Sequence, residues 1–191
     1  MGYKLRVEVP GLYHVTMRGN NKRPIAEDDH DRVLFFTYLD RIATKHGWEL
    51  FAVCLMTNHF HLVMRIGERG MSQGMCELNT GYALAYNQRH GRVNHLFGKR
   101  YWSEELETDE RFLAACRYVV QNPVRAGIVE KPDAYVWSSY RATVGLALGL
   151  VRTASDELLR RFGRDRKTAI ARFRTFCAPP APSRHDRWQP P

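Results

Sequence analysis

The chain predicts an α+β fold of ferredoxin-like, split-βαβ type: an antiparallel four-stranded sheet with helices on one face, plus a C-terminal helical extension. Three observations carry this. Four strand-length segments and two amphipathic helical segments follow one another as β-α-β-β-α-β. The two middle strands are separated only by a Thr57-Asn58 turn, so they must pair antiparallel. Both helical segments show apolar residues at three- and four-residue spacing.

The elements justify themselves in turn. "GLYHVTMRGN" alternates and ends in a Gly-Asn turn, giving a first strand over Leu12 to Arg18. "NNKRP" is a basic loop. "DDHDRVLFFTYLDRIATKHG" is helical: Phe35, Leu39 and Ile42 recur on one face, acids cluster at its start, and Gly47 stops it. "WELFAVCLM" and "HFHLVMRI" are the middle strands. The second helix carries Met71, Met75, Leu78, Tyr82 and Ala85 as its stripe. A basic loop leads to a fourth strand over Tyr101 to Leu106. A third helix starts at Thr108, the expected N-cap, with Asp109 and Glu110 in its first turn; Pro123 is expected to end or kink it. "PDAYVWSSYRATVG" reads as a packed aromatic segment. Arg152 to Arg174 reads as helical, with eight basic and three acidic residues. From Ala178 the chain is Pro-rich and expected to be disordered.

The 191 residues hold 29 Lys plus Arg against 20 Asp plus Glu, a net +9 with an isoelectric point near 9.7. That balance favours polyanions, with nucleic acid first among them. Cys54, Cys76, Cys116 and Cys177 form no C-x-x-C pair and read as reduced thiols of a cytosolic protein. The opening "MGYKLRVEVPG" lacks the apolar region of a signal peptide, and no run is long enough to cross a bilayer.

Two constellations point to chemistry. In "LMTNHFHLVM", His59 and His61 project from one side of a strand while Phe60 and Leu62 face the other. Two imidazoles so placed can hold one cation, or can be ordinary hydrogen-bonded strand histidines. There is no H-E-x-x-H and no nearby acid, so a two-histidine site would leave positions open for a substrate phosphate. Mn²⁺ accepts imidazole more readily than Mg²⁺. In "CRYVVQNPVRAG", Tyr118 and Asn122 stand one helical turn apart at the edge of the Phe112, Cys116 and Val119 stripe. Arg117, Arg125 and Lys131 flank them, and the amides of Gln121 and Asn122 are both candidate third ligands. Tyr118 is equally readable as an amphipathic core tyrosine.

These segments resemble the REP-associated tyrosine transposases, relatives of the single-tyrosine transposases of the HUH endonuclease superfamily. The likeness lies in "YHVTMRGNNKRPIAEDD", "LMTNHFHLVM", "HLFGKRYWSEEL", "YVVQNPVRAGIV" and "YVWSSYRA", in that order. It implies a transposase domain over 1–145, a basic helical extension over 146–177, and the Pro-rich tail over 178–191. It implies Tyr118 as nucleophile, and His59, His61 and Asn122 as ligands of Mg²⁺ or Mn²⁺. The expected reaction is cleavage and rejoining of single-stranded, hairpin-forming repeat DNA through a 5′-phosphotyrosine link. A phenol keeps its proton at neutral pH, so attack must release it; the sequence offers no dedicated general base. No Walker-type loop is present, consistent with energy kept in the covalent link. Expected DNA contacts are Arg18, Asn21, Lys22, Arg23, Arg92, Lys99, Arg100, Arg117 and Arg125, with Tyr101 and Trp102 as candidate base-stacking platforms. His14 is a candidate neighbour of the site. The expected partner is hairpin DNA, the protein acting as monomer or homodimer in the cytoplasm, at the nucleoid. The competing readings are a hairpin-binding module without catalysis and a metal hydrolase of small phosphoesters.

Overall fold

A computed structural model describes residues 8–178. The Pro-rich tail expected from Ala178 onward lies outside these residues, but for Ala178 itself. Strands β1 (Gly11–Arg18), β2 (Glu49–Leu55), β3 (His59–Ile66) and β4 (Trp102–Glu105) form one sheet in the order β2-β3-β1-β4. All its pairs are antiparallel, with a bulge near Leu50 and Ala52 on β2. Helices α1 (Asp29–His46) and α2 (Ser72–Arg89) cover one face, as the split-βαβ reading requires.

Local signals set the boundaries. The Asp28 carboxylate accepts from the Asp31 amide and caps α1, and Gly47 closes it at φ 69°, a left-handed conformation that glycine adopts without strain. The α2 stripe drifts from expectation at its end: Tyr86, not Ala85, is buried there. A helix turns 3.6 residues at a time, and the larger ring takes the place over the core. The Glu8 carboxylate accepts from the Met71 and Ser72 amides at the start of α2, at 2.6 and 2.8 Å.

Helix α3 (Asp109–Arg125) lies on the opposite face, against β2 and β3. Thr108 caps it as expected. Pro123 does not end it; the helix runs on to Arg125, because proline denies the ladder only one N–H, the donor to the Val119 carbonyl, while the Ala126 and Ile128 amides still reach the Asn122 and Pro123 carbonyls. The aromatic segment after α3 contains a short helix, α4 (Tyr140–Thr143). Its flanks cover the free edge of β2: Trp137, Ser139 and Ala154 exchange backbone hydrogen bonds with Leu55, Val53 and Leu50. The basic segment is two helices, α5 (Ser155–Arg160) and α6 (Arg166–Phe176), with Gly163 in the bend between them. Leu158, Leu159, Ala169 and Phe173 are buried in the same apolar cluster as Phe112 and Cys116 of α3. Cys54, Cys116 and Cys177 are buried thiols, and Cys76 is exposed. Among the described residues no helix is long and apolar enough to cross a membrane.

Candidate active site

Strand alternation gives each face its chemistry. On β3, Phe60, Leu62, Met64 and Ile66 enter the core under α1 and α2. His59 and His61 project toward the α3 side. On β1, Tyr13, Val15 and Met17 share the apolar core, so His14, Thr16 and Arg18 face the other way. Register sets Thr16 beside His61 and Arg18 beside His59, while β4 brings Trp102 beside Thr16 and Glu104 beside His14.

Helix α3 lays Tyr118 over this polar strip. Its ring centroid is 5.5 Å from that of His61 and 5.8 Å from that of His14, both edge-on. The residue remains 38% exposed, so the phenol is open to a ligand. The Arg125 guanidinium stands 5.2 Å from the centre of the same ring. One turn along, Asn122 is buried and its side chain reaches His59.

Both strand histidines are held through Nδ1. His59 Nδ1 is 2.7 Å from Asn58 Oδ1, and His61 Nδ1 is 3.0 Å from His14 Nε2. Burial, and then the Arg18 guanidinium, push His59 down to about 4, with the Asn122 bond acting in the opposite direction. Burial, then His59, His14 and Arg18, push His61 down to about 2. Burial lowers His14 as well, against the pull of the Glu104 carboxylate. All three rings are therefore neutral near pH 7, the form that binds a cation. Among the described residues no cluster of three or more His, Cys, Asp or Glu side chains is arranged to hold a metal ion. The candidate donor set is two imidazoles and the Asn122 amide, which suits a divalent cation that takes its remaining oxygens from a phosphate.

Two cavities, about 1050 and 1220 Å³, flank Tyr118 and share Thr16, His61, Trp102 and Arg125. The larger is lined by Arg18, Asn21, Lys22, Lys99 and Arg100 beside His59 and Asn122. Its basic loop is fixed in place. Gly19 donates to Asn58 O, Asn20 to Leu96 O, and Asn58 Nδ2 donates to Lys22 O. Asn21 and Lys22 have φ of 51° and 59°, uncommon for non-glycine residues. Any side chain at Gly19 would put its Cβ 2.2 Å from the Arg23 carbonyl oxygen, so only glycine closes this turn. The smaller cavity carries Arg111 and Arg117, with Glu104 and Phe176.

The structure thus brings together Tyr118, His59, His61, Asn122, Arg18, Asn21, Lys22, Lys99, Arg100, Arg117 and Arg125. Arg23 and Arg92 line neither cavity. Arg92 instead lies over the Tyr86 ring, 5.6 Å from its centre. Tyr101 is buried, its hydroxyl donating to Glu8, and so is no stacking platform; Trp102, 47% exposed, is open to one. The Gln121 amide nitrogen donates to the Cys177 and Ala178 carbonyls, which ties this side chain to the end of α6. Sequence reasoning missed Glu104, whose only signal was its place on a short polar strand.

A family model described as transposase IS200 like matches residues 10–122. The chain belongs to this transposase family. Among the IS200-like transposases, a relative from Haemophilus influenzae, described provisionally as a REP-associated tyrosine transposase, is 23% identical over 110 residues. The match spans 52% of this chain and 62% of that relative, less than two thirds of its length. A solved structure of a REP-associated tyrosine transposase bound to a REP hairpin superposes with a TM-score of 0.63 at 17% identity. It covers 81% of this chain and 96% of that one, and shows that the IS200-like chain shares its fold.

Proposed function

We propose that this transposase cuts and rejoins single-stranded DNA beside a hairpin, with Tyr118 as nucleophile. The supporting observation is that one chain sets the Tyr118 ring against His61, and Asn122 against His59, between two cavities rimmed by basic side chains. In the reaction the phenol oxygen forms a bond to the scissile phosphorus and the bond from phosphorus to the 3′ oxygen breaks. The phenolic proton departs as the bond forms, and the leaving oxygen becomes a 3′-hydroxyl. The strand remains on the protein as a 5′-phosphotyrosine, from which a 3′-hydroxyl can reclaim it without added energy. When bound by His59, His61 and Asn122, Mg²⁺ or Mn²⁺ would supply positive charge to the non-bridging oxygens. Arg125, over the phenol ring, is placed to hold the same phosphate. Arg18, Lys22, Lys99 and Arg100 are placed to track the backbone on one side, and Arg117 on the other. The likeness to a protein solved with a REP hairpin supports hairpin-forming repeats as the substrate class, and hence action in the cytoplasm, at the nucleoid.

The test is incubation with labelled hairpin oligonucleotides and Mn²⁺ or Mg²⁺, followed by a denaturing gel. Wild-type protein should yield a covalent adduct and a free 3′ end. Tyr118→Phe should bind the hairpin alike and yield neither. An adduct from the Phe variant would move the nucleophile elsewhere, and no adduct from wild type across several hairpins would favour a binding module.

A further inference from the structure

We propose that His14 is a positioning residue for His61: its Nε2 accepts a hydrogen bond from Nδ1–H of His61 and fixes that ring with Nε2 left for the cation. The two rings stack at 5.2 Å between centroids, and the nitrogen pair lies at 3.0 Å. Both residues are buried, 8% and 5% exposed. They are diagonal neighbours across β1 and β3, since His61 stands opposite Thr16 and His14 opposite Val63.

The direction of this bond decides what His61 can do. Two neutral imidazoles that touch through one nitrogen each need one donor and one acceptor. If His61 accepted at Nδ1, its proton would sit on Nε2 and the ring would offer a cation nothing. If His61 donates, its Nε2 carries the lone pair. The surroundings of His14 favour the second arrangement. Glu104 is its cross-strand neighbour on β4 and its carboxylate attracts positive charge there. With the His14 proton on Nδ1, the nitrogen His61 does not engage, Nε2 is left as acceptor; the Glu104 carboxylate, which also pairs with Arg111 at 3.5 Å, adds its negative charge on the β4 side of the ring. The His14 ring is itself walled by Trp102 at 5.5 Å and Tyr118 at 5.8 Å, both edge-on. A ring so confined can pass its orientation to the next one. The arrangement is one imidazole holding a second, the outer-shell logic by which proteins fix a ligand's tautomer.

This inference rests on the proposed cation site, and two measurements on the full-length protein separate the two ideas. Long-range ¹⁵N–¹H correlation spectra of the metal-free protein report the His61 tautomer and need no metal; Nδ1–H is expected, and Nε2–H at His61 would overturn the proposal. Calorimetric titration with Mn²⁺ then compares wild type, His14→Ala and His14→Gln. His14→Ala should weaken Mn²⁺ binding about 10–100-fold, the range for lost outer-shell partners, while the amide oxygen of His14→Gln should restore part of it. Equal affinity in His14→Ala and wild type also overturns the proposal. Wild type that binds no Mn²⁺ sinks the cation reading, and the tautomer then decides the His14–His61 bond alone.

Discussion

The two faces of the sheet use the same strands for opposite ends. Toward α1 and α2, β3 presents Phe60, Leu62, Met64 and Ile66, all fully or almost fully buried, with the Phe60 ring 4.9 Å from that of Phe35. Toward α3 it presents His59, His61 and Val63, and of these only Val63 joins an apolar cluster. Two long helices cover the first face along its length, so every inward position there can be apolar. On the second face the strand ends near the Thr57–Asn58 turn meet the polar edge of α3 and the cavities beside it. His14, Thr16, His59, His61 and Asn122 survive there because each has a polar partner. Beside the first face the Asp31 carboxylate of α1 is fully buried, paired with Arg89 at 2.6 Å and His90 at 3.0 Å. The lesson is that the same alternation makes a core or a site according to what is laid over it.

The largest effect should separate the faces cleanly. His59→Ala or His61→Ala removes a proposed donor and should lower cleavage by roughly 10²–10³-fold, the kinetic equivalent of several kcal/mol of lost charge stabilisation. Chelation with EDTA should do the same to wild type, while hairpin binding persists in a gel-shift assay. Full cleavage by His59→Ala in EDTA would remove the cation from the mechanism.

Phe60→Ala, between those two histidines, should act only through folding. A fully buried phenylalanine cut to alanine typically costs about 3–5 kcal/mol. Urea titration should show that loss, and the surviving folded fraction should keep its cleavage rate. A specific loss of cleavage without destabilisation would mean that the faces are not independent.

Acid should distinguish the faces as well. His59 falls to about 4 in the folded protein against an ordinary 6.5, so the unfolded chain binds the extra proton first. Its contribution to stability is full above pH 6.5 and is lost as pH falls from there through about 4; His61 extends the loss further down. Asp31 is buried, which alone would raise its pKa, but hydrogen bonds from Glu27, His90 and Arg89 hold it below its ordinary 3.8. Its contribution is lost only as pH falls below 3.8. Melting temperature against pH, with EDTA present, should therefore begin to drop below 6.5 in wild type and in Asp31→Asn. A wild-type curve flat down to pH 4 would contradict the neutral, buried imidazoles.

The smallest effect concerns the basic rim. Lys22→Ala should reduce the salt dependence of hairpin binding by roughly 0.7–0.9 in slope, one phosphate contact. Arg92→Ala, which lies over Tyr86 outside both cavities, should leave the slope unchanged. Equal slopes for both variants would place the DNA elsewhere.

Much of this was legible in the chain. Alternation alone put His59 and His61 on one side and Phe60 and Leu62 on the other, because a strand's side-chain period is two. Thr108 and Gly47 marked helix ends through groups that act within one turn. The antiparallel four-stranded sheet followed from the β-α-β-β-α-β pattern, and the pairing of Tyr118 with Asn122 from helical spacing.

What needed the tertiary structure were relations between segments distant in sequence. Periodicity names the residues that share a face but not the neighbour that meets them. Only packing set α3 opposite α1 and α2, turned so that Tyr118 covers His61. Only register set His14 diagonal to His61 and Glu104 beside His14. Packing also gave partners to residues that composition had offered: Tyr101 meets Glu8, the Gln121 amide nitrogen the carbonyls of Cys177 and Ala178, and Arg92 the Tyr86 ring. A polar side chain bonds whatever the fold brings within about 3 Å, and the chain specifies that partner only through the whole set of contacts that dock one element on another.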